Sequence, residues 1–248
     1  MSGHSRWANI KHRKAKGDAA KASIFTKIGR EIAVAVKAGG PDPAQNSRLW
    51  DVLAKARENN IPNDNIQRSI KKAAGELGTI NYEDSVYEGY GPNGVAVIVQ
   101  CLTDNKNRTA GDIRHIFDKS GGSMGTTGCV SFMFDIKGVV IVDAKPGVDD
   151  DEMMMTAIDL GADDFLSEDG RYEILCAPAV MSAVRKGFEG IGMNVVSAEV
   201  RRIPQNTVAL SAEDAEKIER MLERFEDNDD VQEVFHNAEL PESEDDDE

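Results

Sequence analysis

The sequence predicts an α+β protein: an N-terminal helical domain followed by two ferredoxin-like α/β domains, one inserted in the other. Three observations carry this prediction. Apolar residues recur at helical spacing in three successive segments between residues 24 and 78. From Gly138 to Ile203 the apolar runs and turn signals read β-α-β-β-α-β, the order of a split βαβ unit. A strongly amphipathic segment and a short apolar run then remain near the C-terminal end, and they need a sheet to join.

Each element has its own signal. Residues 1–23 are polar and basic without a sustained apolar period, which predicts a flexible arm. Ile24, Phe25, Ile28, Ile32 and Val36 form the first helical stripe, and Gly39-Gly40-Pro41 stops it. A second helix fits Ser47 to Glu58, with Leu49, Val52, Leu53 and Ala56 on one side. After Asn59-Asn60-Ile61-Pro62, a third turns Ile66 and Ile70 inward and Arg68, Lys71 and Lys72 outward. Gly75 and Gly78 mark the exit from this domain, placed at 24–78.

Strands are then predicted over residues 87–90 and 95–102, joined by Gly91-Pro92-Asn93-Gly94, where Pro presets φ and Asn-Gly suits a tight turn. Thr109-x-x-Asp112 reads as a capping box opening a helix through Ile113, Ile116 and Phe117. Gly121-Gly122 closes that helix, and residues 130–134 read as the next strand. The Gly91–Gly94 turn and the loop from Thr103 to Thr109 are expected at neighbouring ends of one sheet. The second α/β set comprises strands at 139–142, 164–166, 172–176 and 195–203, with helices at 150–160 and 179–190. A helix at 212–225 and a strand at Val231–His236 follow. Residues 79–136 lack a closing α-β unit, so residues 204–240 are assigned to them as a discontinuous domain, with 137–203 inserted as a domain of its own. The tail, 241–248, carries Glu and Asp with nothing to bury and is expected to be disordered.

Charge is distributed unevenly. The chain carries a formal net charge of −15, yet its first 37 residues hold nine Lys/Arg against two acids. Residues 1–80 net +8 and the remaining 168 net −23. A basic, aromatic-bearing end on an acidic protein points to a polyanionic partner. Candidate contacts in the arm are His4, Arg6, Trp7, Lys11, His12, Arg13, Lys14, Lys16 and Lys21. The cations would neutralise phosphates, and Trp7 and the imidazoles could stack on unpaired bases. Lys27, Arg68, Lys71 and Lys72 extend the set into the helical domain, and Lys106 and Arg108 could meet a second stretch of backbone. The second and third helices resemble a helix-turn-helix in outline. The outward face of the third offers only Asn65, Gln67, Arg68, Lys71 and Lys72, which suits shape and phosphate recognition better than base reading.

Several function classes find no support. Cys101, Cys129 and Cys176 are far apart in apolar, strand-like sequence, as core thiols of a reducing compartment are, and no Cys-x-x-Cys occurs. The four histidines have no zinc spacing. Gly121-Gly122-Ser-Met-Gly-Thr-Thr-Gly lacks the Lys-Ser/Thr ending of a P-loop and leads into a strand, although its backbone donors could touch RNA. The acidic runs lack the glycine and spacing of a calcium loop. No nucleophile–base pair is evident, so no enzyme, cofactor or metal is expected. No apolar run approaches bilayer-spanning length, so no membrane partner is expected, and no apolar stretch follows the basic start as a secretory signal would require. A transit peptide is also basic and acid-poor, but this arm runs into a helix of structural pattern, which favours a bacterial-type cytoplasm.

Long stretches of the chain resemble the YebC/PmpR family, which includes a mitochondrial translational activator. They are Gly3-His4-Ser5-Arg6-Trp7-Ala8-Asn9-Ile10-Lys11-His12-Arg13-Lys14, Tyr87-Glu88-Gly89-Tyr90-Gly91-Pro92, Thr103-Asp104-Asn105-Lys106-Asn107-Arg108-Thr109, Gly121-Gly122 with Gly125-x-x-Gly128-Cys129-Val130, and Val231-Gln232-Glu233-Val234-Phe235-His236-Asn237. Cys129 stands where the family pattern has Ser. The resemblance implies a three-domain protein without known enzymatic activity, with a helical N-terminal domain and two α/β domains. It also implies either a DNA-binding transcriptional regulator or a ribosome-associated translation factor, the latter relieving stalled synthesis at proline runs.

The sequence therefore leads to a monomeric, non-enzymatic nucleic-acid-binding regulator of gene expression, with DNA and ribosomal or transfer RNA as rival targets. The alternatives are specifically a ribosome-associated factor, and a protein-interaction module in which the basic arm is incidental. The acidic tail could fold back on the arm and weaken binding to non-target polyanions.

Overall fold

The computed structural model describes residues 18–75 and 81–240. Three helices come first: α1 (Asp18–Gly39), α2 (Ser47–Glu58) and α3 (Asn63–Gly75). They enclose a core of Ile28, Ile32, Val36, Leu49, Leu53, Ile66 and Ile70, the residues that set the helical period. Asn46 ties two of them together. Its carbonyl oxygen caps α2 by accepting from Leu49 N at 3.0 Å, while its amide donates to Ala35 O and Gly40 O, each at 2.8 Å. The first helix begins at Asp18, inside the segment expected to be an arm through residue 23.

The remaining elements, in chain order, are β1 (Glu83–Tyr90), β2 (Ala96–Thr103), α4 (Lys106–Lys119), β3 (Ser123–Met124), β4 (Phe134–Asp143), α5 (Asp150–Asp159) and β5 (Ala162–Glu168). They continue with β6 (Arg171–Cys176), α6 (Met181–Gly190), β7 (Val195–Pro204), β8 (Val208–Ala209), α7 (Ala212–Glu226), β9 (Val231–His236) and β10 (Ala238–Glu239). The described residues fall into two compact units, one of residues 134–205 and the other of residues 18–133 with 206–240.

The unit of residues 134–205 is an antiparallel sheet of order β5-β6-β4-β7, the ferredoxin-like arrangement of a βαββαβ chain. Its helices α5 and α6 bury Val140, Val142, Tyr172, Ile174, Val184 and Phe188. In the other unit a second antiparallel sheet has the order β3-β1-β2-β9. This is the same spatial order with the third strand, β1, supplied first in the chain and the last, β9, supplied after the insertion. The helices α4 and α7 close this core, where Phe117 and Phe225 pack edge-to-face 5.1 Å apart.

Three local expectations are corrected. Residues 130–134 are not a strand: Ser131–Met133 is a 3-10 turn and β4 starts at Phe134. The amides of Val130 and Ser131 are taken by the Glu88 carboxylate and cannot join a ladder. The helix α4 opens at Lys106, capped by Asn105, whose side chain accepts from Arg108 N at 3.1 Å; the Thr109 hydroxyl points into the interior instead. Finally, the register pairs Tyr90 with Ala96 and Glu83 with Thr103. The Gly91–Gly94 turn and the Thr103–Thr109 loop thus lie at opposite ends of the hairpin, about 23 Å apart at the rise of a strand.

Candidate nucleic-acid interface

Of the candidate contacts, His4, Arg6, Trp7, Lys11, His12, Arg13, Lys14 and Lys16 lie outside the described residues, as does the side chain of Lys21. The other six separate into two groups. Arg68, Lys71 and Lys72 occupy positions i, i+3 and i+4 of α3 and so share one face. All three are exposed, and none forms an ion pair among the described residues. Exposed Arg57, in the last turn of α2, is likewise without an ion pair there. Between Ile24 and Gly75 there are nine Lys/Arg against five Asp/Glu, so the helical part is basic even without the arm.

Lys27, Lys106 and Arg108 are committed to internal contacts. Lys106 pairs with Glu83 across the end of β1 at 2.7 Å. Lys27 donates to Glu226 O at 2.7 Å. Arg108 reaches both Asp104 at 2.9 Å and Asp230 at 2.8 Å. Asp230 is the centre of this group. It is 4% exposed, and it also receives Arg30 at 2.5 Å, the Thr109 hydroxyl at 2.7 Å and the Thr103 hydroxyl at 3.2 Å. Burial alone would raise its carboxyl, but bonds from Arg108, Thr109 and Arg30 outweigh that and bring it down to about 2. Arg30 further donates to Asp229 O at 2.7 Å and lies 5.5 Å from the Tyr82 ring centroid. One buried carboxylate thereby joins α1, the start of α4 and the residue preceding β9.

Arg30 and Asp230 escaped the sequence reading. Arg30 looks like one more cation on a helix, and Asp230 ends an acidic run, Asp227-Asn228-Asp229-Asp230, that reads as a solvated turn. The signal available was Thr103-Asp104-Asn105-Lys106-Asn107-Arg108-Thr109, which carries more hydroxyl, amide and charged groups than a helix cap needs.

Glu88 plays the matching part at the other end of the hairpin. Buried at 3% exposure, it accepts from the amides of Gly128, Val130 and Ser131 at 2.8–2.9 Å. Burial opposes its ionisation, but the three backbone donors prevail and hold its carboxyl below the usual range. The carbonyl of Glu88 takes Gly125 N as well. The Gly125 and Gly128 amides of the glycine-rich segment, with those of Val130 and Ser131 just after it, are therefore occupied from within, which removes donors a phosphate cradle would need. Cys101 and Cys176 are buried thiols, and burial pushes the Cys101 thiol up to about 12. Among the described residues no group of three His, Cys, Asp or Glu could hold a metal, and no helix is long and apolar enough to cross a membrane.

A basic three-helix bundle joined in sequence to two four-stranded antiparallel α/β sheets, one nested in the other, defines a class of α+β protein whose helical part is basic and whose remainder is acidic. Within that class the family is specific. Residues 5–76 match the model of the TACO1/YebC protein N-terminal domain, and residues 82–238 match that of the TACO1/YebC second and third domain. The chain belongs to the TACO1/YebC family. A protein of Acetivibrio thermocellus named probable transcriptional regulatory protein is 58% identical over 238 residues, spanning 96% of this chain and 98% of that one. A protein of the same name from Agathobacter rectalis is 58% identical over 241 residues, spanning 96% and 100%. The crystal structure of a conserved hypothetical protein from Aquifex aeolicus matches with a TM-score of 0.83 at 42% identity, covering 97% of this chain and 99% of that one.

Proposed function

We propose that this protein is a non-enzymatic regulator of gene expression that binds nucleic acid through its basic N-terminal end. The observation that carries this is the Arg68, Lys71, Lys72 face of α3: three exposed cations without ion pairs among the described residues, in a chain of net charge −15, continuing the basic composition of residues 1–17. The candidate cations Lys106 and Arg108, by contrast, are matched by acids, Lys106 by Glu83 and Arg108 by Asp104 and Asp230. A row of exposed cations on one helix face of an acidic protein fits phosphate neutralisation. The relatives' printed name adds support for regulation.

The test is the salt dependence of binding to a DNA duplex and to a structured ribosomal RNA fragment. Reversing Arg68, Lys71 and Lys72 to Glu should weaken binding and flatten the slope of log K against log salt by about 2–3. Unchanged affinity and slope would exclude this face. RNA is the favoured target, because residues 81–248 are strongly acidic and would be repelled by a uniform DNA rod. Crosslinking in cells with sequencing of both nucleic acids separates the two. Enrichment of ribosomal and transfer RNA supports a translation factor, and discrete promoter peaks support a transcription regulator.

A further inference from the structure

A groove of about 260 Å³ opens between α1 and α3. Its floor is apolar: Ile28, Ile32 and Ile66 are each 2% exposed, and Phe25 adds the one aromatic ring among the lining residues. Its rim is polar and basic, with Arg68 and Lys72 four residues apart and Asn65 and Ser69 likewise. We propose that this groove receives a single unpaired nucleobase, whose flanking phosphates meet Arg68 and Lys72. This rests on the nucleic-acid function proposed above.

Gly29 keeps the groove open. It sits in the middle of α1, where a glycine destabilises a helix relative to alanine. A Cβ built there meets nothing within 4 Å, so packing does not demand the glycine, whereas an open groove does. Asn65 and Ser69 make no side-chain hydrogen bond among the described residues, which leaves an amide and a hydroxyl for the edge of a base. At about 260 Å³ the space is below the roughly 300–1,000 Å³ of drug-sized ligand sites but suits one planar base.

Charge selects among occupants. The chain's own residues 1–17 carry an apolar Trp7, but their five Lys/Arg would face Arg68 and Lys72. The tail after Leu240 has the right charge, but Pro241-Glu-Ser-Glu-Asp-Asp-Asp-Glu offers little to an apolar floor. A nucleotide in a single strand joins an apolar π-face to an anion, and so answers both the floor and the rim.

The experiment compares Gly29→Leu with Arg68→Glu/Lys72→Glu in the full chain, using a single-stranded oligoribonucleotide and a duplex of the same sequence. Leucine is a strong helix former and a Cβ at this position meets nothing within 4 Å, so the melting temperature of Gly29→Leu should hold or rise. Its single-strand affinity should fall about tenfold or more, the loss expected when one stacked base is expelled, while its salt slope and duplex affinity stay unchanged. The charge reversal should weaken both ligands and flatten both slopes. If Gly29→Leu binds the single strand like the parent while the charge reversal weakens it, the groove proposal falls and the phosphate face stands. If neither variant changes binding, the nucleic-acid function of this face falls with it. A gain in affinity on filling the groove would mean that it holds a segment of the chain itself, which also overturns the proposal.

Discussion

Asp230 faces two guanidinium groups from a position with almost no solvent, and its replacement shows how much of the fold rests on a single carboxylate. In Asp230→Asn the amide keeps the shape, but Arg30 loses its carboxylate and, being largely buried, is costly to leave unmatched, while exposed Arg108 keeps Asp104. The folded carboxyl is held at about 2, below its ordinary value of 3.8, which corresponds to about 2 kcal/mol of stability. The sign follows from a depressed carboxyl. The contribution is complete above about pH 4, where the unfolded group is ionised, and is lost as pH falls toward 2. Urea unfolding at pH 7 should therefore separate wild type from Asp230→Asn by roughly that amount, with the gap narrowing at pH 3. A gap independent of pH would mean that the carboxylate's charge is not what matters. None of this was legible in sequence, because Arg30 and Asp230 are 200 residues apart and nothing local distinguishes Asp230 from the other acids of its run.

Elements were legible where apolar period and turn chemistry agreed, and misread where a tertiary contact overrode them. The bounds Ser47–Glu58 and Val231–His236 emerge unchanged because an N-cap and a turn frame them locally. The start of α4 was placed too late because Thr109-x-x-Asp112 imitates a capping box, while Asn105 does the capping and Thr109 bonds Asp230. Asn105→Ala should consequently cost about 1 kcal/mol by chemical denaturation, with earlier hydrogen exchange at Arg108. An unchanged Arg108 amide would argue against that cap. The two-residue strand β3 had no apolar signal at all, since its place is fixed by the close approach of Gly122 to β1. A Cβ on Gly122 would lie 2.4 Å from Tyr90 O and 3.0 Å from Gly91 Cα, both backbone atoms. Gly111, exposed within α4, has nothing within 4 Å. Gly122→Ala should thus destabilise by about 1–3 kcal/mol, and Gly111→Ala should stabilise by about 0.5–1 kcal/mol. Melting temperatures moving in the same direction would contradict this account.

At the scale of the whole molecule, the nested α+β architecture was readable because secondary structure had to balance. A sheet with one helix too few and a helix and strand left over imply each other, and β9 pairs with β2. The two sheets share one strand order, as two ferredoxin-like domains should; what sequence order hid was the permutation, with β1 paired to β3 as well as to β2. Charge acts at this same scale, through the field of the entire chain. Removing residues 241–248 takes away six acids and changes the net charge from −15 to −9, without touching any contact among the described residues. A less negative protein should associate faster with any polyanion, by electrostatic steering that salt suppresses. The truncated protein should then bind a non-target RNA or heparin several-fold more tightly at about 50 mM salt, and equally with the full chain at about 0.5 M, where the Debye length is only a few ångströms. A gain that persists at high salt would point to a direct contact of the tail with the binding surface rather than to its field. No gain at either salt would show that the tail's charge does not restrain the basic end.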